Sequence, residues 1–259
     1  MKKINLMFFA AVFVVIIALG SSLAQGGAVN TAGALFYQGN IYYQEGKYDA
    51  AIGAYEKLLG QGLESGNLYY NLGNSYFKKG ALGLAVLNYE KAKGFIPNDS
   101  DLRSNYDYTL QVLNLEPRLF GGWFEKTIYK LFQSMTIDAL TIFLSFVYIV
   151  LIVFFILSMF FSRLKRFSAL AACVLITLFI LSAYALNRRI NYLNKFAVVI
   201  SSETDAKFEP LEGATTYFKL SEGSKVEVME KAEGWYKIRR FDNKLGWVNK
   251  GALKQITEN

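Results

Sequence analysis

The sequence contains no histidine and a single cysteine, and both shortages narrow what the chain can do. Histidine is the commonest general base and a frequent metal ligand, so its absence removes most hydrolase and zinc-site chemistry. The lone Cys173 has no partner for an intramolecular disulfide. It falls inside an apolar run, where a thiol behaves as a small inert hydrophobe. No phosphate-cradling glycine loop follows a predicted strand. Charge is not concentrated either: the net +7 is spread along 259 residues, without the clustered basic face that a nucleic-acid partner requires. Glu203, Asp205, Glu209 and Glu212 crowd one stretch and read as a solvated loop, an ion site being the lesser alternative. No catalytic residue, cofactor or metal site is expected.

What the sequence does contain is a series of unlike parts. Residues 1–24 have the form of a secretory signal: Lys2 and Lys3, an apolar stretch from Phe8 to Leu19, then Ser22-Leu23-Ala24 as a small-x-small cleavage pattern. An uncleaved anchor helix is the alternative, and either form exports the segment after it. No cysteine stands at the end of the apolar stretch, which argues against a lipoprotein anchor.

Residues 32–99 carry an internal repeat. A shift of about 34 residues superposes Gly39 on Gly73, Tyr42 on Tyr76, Gly46 on Gly80, Ala51 on Ala85, and Tyr55-Glu56-Lys57 on Tyr89-Glu90-Lys91. Leu35, Gly39 and Tyr42 share one helical face, as do Ala51 and Tyr55 on a second helix. Gly39 and Ala51 are small where two helices cross, and Gly46 suits a turn that needs positive φ. Pro97 stands where a repeat ends. This period and pattern resemble the tetratricopeptide family. Residues 99–115 begin like a third repeat, but Asp107 replaces the crossing glycine and no partner helix follows, so they read as a cap. Two repeats and a cap, residues 32–116, fall short of the roughly three repeats such arrays need, so support from a membrane or a partner is expected.

Residues 117–136 form an amphipathic segment, with Leu119, Trp123, Phe124, Ile128, Leu131, Phe132 and Met135 on one side. It reads either as an interfacial helix anchored by Trp123 or as a helix that closes the repeat array. Residues 140–161 and 168–186 contain no charge, and each is long enough to cross a bilayer core of about 30 Å. The expected arrangement is a transmembrane helix over 137–161, a cytoplasmic loop over 162–167 and a second transmembrane helix over 168–186. Arg163, Lys165 and Arg166 favour the cytoplasmic side for the loop, although Arg188, Arg189 and Lys195 flank the far end. Parity then puts both flanking domains outside.

Residues 196–259 change to short alternating strands over 197–200, 216–220, 225–228, 235–238 and 245–248. Leu220-x-x-Gly223-x-x-Val226-x-Val228, Gly234-Trp235-Tyr236 and Gly246-Trp247-Val248 resemble the bacterial SH3 (SH3b) family. The expected fold is therefore a multidomain membrane protein: an all-α tetratricopeptide solenoid, a transmembrane helical hairpin and a small all-β SH3-like barrel.

The tetratricopeptide resemblance implies that the first helix of each repeat binds a partner peptide. The residues in register are Phe36, Asn40, Tyr43 and Gln44, then Tyr70, Asn74, Phe77 and Lys78. In this family such an asparagine often bonds a peptide backbone or carboxylate; the alternatives are that Asn40 and Asn74 bond locally and that the aromatics are core. In the tail, Trp235, Tyr236 and Trp247 are either core residues or contacts for a cell-wall peptide, the ligand that the SH3b resemblance implies. The order of the parts resembles the BatE-type proteins of the bacterial aerotolerance operon family. That resemblance implies an envelope scaffold in the cytoplasmic membrane, beside von Willebrand A-domain membrane proteins and a MoxR-type ATPase. A peptidoglycan-binding or wall-sensing membrane protein is the second expectation.

Overall fold

The computed structural model describes residues 26–116, 122–160 and 162–257. The expected signal at 1–24, Leu119 and the last two residues lie outside the described residues. The chain divides into two compact units, Met1–Gln61 and Gly62–Asn259.

In the first unit, α1 (Gly26–Gln44) and α2 (Tyr48–Gly60) form a helical hairpin. Helix α1 starts earlier than residue 32, where the repeat pattern begins. A Cβ on Gly39 would lie 2.5 Å from Cε1 of Tyr55, so only glycine lets the tyrosine ring cross the helix there. Gly46 closes the hairpin at φ +74°, a conformation that costs glycine nothing.

The second unit opens on the same device. In α3 (Gly66–Lys79) and α4 (Leu82–Phe95), a Cβ on Gly73 would lie 2.6 Å from Cε1 of Tyr89. Ser65 caps α3 by accepting the Leu68 N–H at 3.1 Å, and Asp99 caps α5 (Ser100–Val112) by accepting the Leu102 N–H at 2.7 Å. Helix α5 stands alone where a third repeat would begin.

Two long apolar helices come after a short one, α6 (Trp123–Phe132). They are α7 (Ile137–Phe160) and α8 (Ser162–Lys195). Leu140 of α7 packs on Ala185 of α8, and the rings of Tyr148 and Phe179 lie 6.1 Å apart, so the pair runs antiparallel. Their most apolar stretches, Ile137–Ser158 and Ala169–Asn191, are 22 and 23 residues long. At 1.5 Å per residue each covers roughly 33 Å. Ile142, Phe146, Phe155, Leu170 and Ile180 stay exposed, an apolar surface that water would not tolerate in a soluble monomer. The expected loop at 162–167 is instead helical, because α8 begins at Ser162. Helix α8 also outruns residue 186, continuing through Arg188 and Arg189 to Lys195.

Helix α6 lies beside the hairpin, and the turn after it also meets the end of the second repeat, where Asn98 Nδ2 donates to Ser134 O at 3.0 Å. Ile128, Phe132 and Met135 pack on the base of the α7–α8 hairpin, and Phe124 faces Tyr184 at 5.7 Å. Trp123 and Leu131 are left outward.

Lys195 passes directly into β1 (Phe196–Val199), with no linker. The remaining strands are β2 (Glu203–Lys207), β3 (Thr216–Ser221), β4 (Lys225–Ala232), β5 (Trp235–Arg239), β6 (Leu245–Asn249) and β7 (Leu253–Gln255). They form one antiparallel sheet in the order β3-β2-β6-β5-β4-β1-β7. A single core cluster, including Ala197, Ala206, Phe218, Val226, Ile238, Val248 and Leu253, draws on all seven strands. Strand β2 corrects the reading of Glu203 and Asp205 as loop residues. Only Ala206 of this strand enters the core, so its apolar alternation is too thin to see in sequence. Strand β7 is likewise not predicted from sequence; at three residues it is held by pairing with β1. The Gln255 side chain donates to Asn194 O at 3.1 Å, fastening β7 to the end of α8.

The sheet is docked on the second repeat. Helix α4 has no side-chain cap of its own at Ala81; instead Glu222, in the β3–β4 turn, accepts the Gly83 N–H at 2.7 Å. A carboxylate at a helix N-terminus is favoured by the orphan amides and the helix dipole. Gly83 must be glycine, since a Cβ would lie 2.5 Å from Val199 O. Beneath this contact Glu90 is 3% exposed. It accepts the Tyr106 hydroxyl at 2.5 Å and the Lys225 ammonium at 3.0 Å, with Lys93 at 3.7 Å. Burial alone would push the Glu90 carboxyl up. Lys225, Lys93 and the Tyr106 bond overcome that and hold it well below the usual carboxylate range.

Replacing Gly83 by alanine is expected to loosen the docking, read as faster amide exchange in the first turn of α4 and in the β3–β4 turn. Gly53→Ala, where a Cβ meets nothing within 4 Å, should leave exchange unchanged or stabilise the first unit, by about 0.5–1 kcal/mol. Lys225→Met should destabilise the second unit by about 3 kcal/mol in a detergent-solubilised thermal or denaturant melt, because it strands a buried carboxylate. Since the folded Glu90 carboxyl lies below its unfolded value of about 4.3, its stabilisation is complete above that pH. It should fall progressively below that pH and be gone once pH has dropped through the lower folded value, so docking is expected to persist at mildly acidic pH.

Candidate functional site

On the first unit, Phe36, Asn40 and Tyr43 are half-buried along α1 and Gln44 is exposed. Asn40 Oδ1 accepts the Tyr55 hydroxyl at 2.7 Å, Phe36 lies 5.9 Å from the Tyr55 ring, and Tyr43 meets Tyr48 edge-on at 5.6 Å.

The second unit repeats this arrangement and extends it. Asn74 Oδ1 accepts the Tyr89 hydroxyl at 2.7 Å, the counterpart of the Asn40–Tyr55 bond. It also accepts from Asn105 Nδ2 at 2.9 Å, and that same amide donates to the Tyr70 hydroxyl at 2.9 Å. Phe77 stands 5.7 Å from Tyr108, which is 57% exposed, and Lys78 is exposed at the end of α3. Tyr70, Asn74, Phe77, Asn105 and Tyr108 thus form one half-exposed polar and aromatic surface across α3 and α5. With its oxygen committed twice and no acceptor for its Nδ2 among the described residues, Asn74 has that amide left to donate to a partner.

Sequence reasoning does not find Asn105 and Tyr108, because the helix containing them reads as a cap alone. The repeat shift that carries Asn40 to Asn74 carries Asn74 on to Tyr108, and that is the available signal.

In the sheet, Trp235 and Tyr236 are buried and Trp247 is half-buried. Lysines lie over all three rings: Lys207 over Trp235 at 5.4 Å, Lys231 over Tyr236 at 5.4 Å and Lys237 over Trp247 at 5.4 Å. Surface aromatics occur elsewhere, at Phe208 and Tyr217, whose rings stack 4.6 Å apart with Lys244 over Tyr217. Phe208 escapes notice in the sequence because it lies in the acidic stretch that reads as solvated. Within that stretch the carboxylates face lysines: Glu203 pairs with Lys219 at 3.2 Å and Glu212 with Lys207 at 3.5 Å. Among the described residues no group of three acidic, cysteine or histidine side chains could hold a metal ion.

Asn74 therefore has a structural duty separable from any binding duty. Asn74→Ala removes the oxygen that accepts the buried Tyr89 hydroxyl and one of the two acceptors of the Asn105 amide, and should cost about 1–2 kcal/mol of stability. Asn74→Asp keeps the acceptor, removes the donor and should cost clearly less in the same thermal melt.

Comparison with known families agrees with this architecture part by part. Residues 39–80 match the model of the TPR repeat, and residues 66–99 match that of the tetratricopeptide repeat. Residues 209–254 match the bacterial SH3 domain, a segment that begins after β2 and reaches into β7. A search of the curated proteins found no match. The chain carries tetratricopeptide repeats and a bacterial SH3 domain on either side of two long apolar helices.

Proposed function

We propose that this chain is a membrane-anchored, non-catalytic scaffold of the bacterial cell envelope whose repeats bind a segment of a partner protein. The carrying observation is the polar and aromatic surface of Tyr70, Asn74, Phe77, Asn105 and Tyr108, held in place by its own hydrogen bonds. Phe36, Asn40 and Tyr43 offer the same chemistry on the first repeat, and Lys78 adds a positive charge suited to an acidic segment or a carboxylate. A preorganised surface loses little conformational freedom on binding, which favours recognition of an extended peptide.

The α7–α8 hairpin crosses the cytoplasmic membrane, in this reading, with the repeats and the SH3 domain outside. Support comes from the Glu90–Lys225 and Gly83–Glu222 contacts, which require the repeat that precedes the hairpin and the sheet beyond it to share one side. An even number of passes satisfies that requirement. The order of the parts further suggests a BatE-type role in an aerotolerance complex, with von Willebrand A-domain membrane proteins as partners.

A second reading is favoured by the bacterial SH3 match and the exposed Phe208–Tyr217 pair: the sheet binds cell-wall peptide, and the chain senses or grips peptidoglycan.

Cross-linking in intact cells, followed by mass spectrometry, is expected to recover von Willebrand A-domain membrane proteins. Asn74→Asp with Phe77→Ala should lose them while the thermal melt is preserved; undiminished recovery would remove the surface from consideration. Recovery of wall fragments alone, with sedimentation of the full chain on purified peptidoglycan, would transfer recognition to the sheet. For topology, Ser104→Cys and Glu233→Cys in a Cys173→Ala background should both react with a membrane-impermeant thiol reagent from outside. Reaction only after the membrane is permeabilised would reverse the orientation.

A further inference from the structure

The second unit contains a cleft that neither the repeat surface nor the sheet uses. It has a volume of about 510 Å³ and is bounded by the end of α4, the start of α5, α6 and the polar extension of α8. Its charged lining consists of Lys93, Arg103, Lys130 and Arg189 with Asp99 and Asp107. These charges are not equally available. Lys93 is turned toward Glu90 and the Tyr106 ring, and Asp99 caps α5. Asp107 is exposed. No ion pair reaches Arg103, Lys130 or Arg189 among the described residues.

Arg189 is the informative member. One of its terminal nitrogens donates to Lys93 O at 3.0 Å, yet its Nε is buried with no acceptor among the described residues. A buried donor left unsatisfied is costly and rare, and in a cleft lined by two further cations the natural acceptor is an anion. A guanidinium presents its donors as a planar fork that matches a phosphate, and a second guanidinium and an ammonium can complete the shell. The position suits the same chemistry. Arg189 falls at the polar end of the apolar stretch Ala169–Asn191, and α6, which lines the cleft, presents Trp123 and Leu131 outward. A basic pocket beside the end of a membrane helix can hold a phosphate headgroup by the same charge-assisted hydrogen bonds, on whichever side of the bilayer it faces.

We propose that this cleft binds a phosphate-bearing anion, taken either from an anionic phospholipid headgroup or from free phosphate. Arg189, half-buried in the lining, would be its inner donor, and Arg103 and Lys130 its outer ones. The bound anion would join α4, α5, α6 and α8 at the membrane surface, independently of whatever the repeats recognise.

The test uses the full chain in lipid-free maltoside micelles and in phosphatidylcholine nanodiscs with and without phosphatidylglycerol. Calorimetric titration with inorganic phosphate reads the free anion, and native mass spectrometry of protein released from the discs reads retained lipid. Saturable phosphate binding without lipid preference would identify a free anion. Selective retention of phosphatidylglycerol over phosphatidylcholine would identify a headgroup. Either supports the site if Arg103→Gln and Lys130→Gln each weaken the binding about tenfold, the loss expected for one charge-assisted contact. Both side chains are exposed, so circular dichroism should report an intact fold in these variants. Arg189→Gln should abolish binding. Absence of binding to both probes, or binding unchanged in the Arg103 and Lys130 variants, would overturn the proposal.

Discussion

A carboxylate taken out of water is tolerated only where hydrogen bonds and opposite charge replace its hydration, and Glu90 obtains both from three parts of the chain. Tyr106 comes from the lone helix after the repeats, Lys93 from its own helix and Lys225 from a strand more than a hundred residues later. The interaction therefore has meaning only when repeat and sheet are docked. Undocked, Glu90 regains water but loses Lys225, and the Glu222 cap on α4 is lost with it. The two contacts reinforce each other because they sit on one helix and one turn.

This dependence explains departures from the repeat pattern. Glu56 is exposed, whereas Glu90, at the equivalent position, is buried. Asp49 gives α2 an acidic residue in its first turn; its counterpart in α4 is Gly83, and the acid is supplied from Glu222. The second repeat has exchanged a local charge for space, since any side chain at residue 83 would collide with the backbone of β1. Two repeats and a single extra helix are few for such an array, and the sheet provides burial that a further repeat would otherwise give.

The hairpin and the sheet form a continuous mechanical element. Helix α8 enters β1 without a linker, and Gln255 fastens β7 to the helix end. The apolar helices are thereby joined to the sheet without an intervening linker, and through Lys225 and Glu222 to the second repeat. The cleft around Arg189 lies on the same route, at the junction of helices that an anion would hold together.

Local periodicity was enough to determine several features from sequence. The small residues Gly39 and Gly73 at the helix crossings, the apolar helices and most of the alternating strands depend on neighbours at fixed spacing, and such spacing is visible in a single sequence; that the Tyr55 and Tyr89 rings fill those crossings was decided by packing. The surface around Asn74 was legible in part, through the repeat register; Asn105 joined it only because α5 packs beside α3. Other features were decided by tertiary structure alone. Strand β2 exists through pairing with β3, although only Ala206 of it enters the core. The burial of Glu90, the cap from Glu222 and the orphaned Nε of Arg189 each depend on groups distant in sequence. A charged residue reads the same in sequence whether water or a folded domain surrounds it, and only the docked chain distinguishes the two.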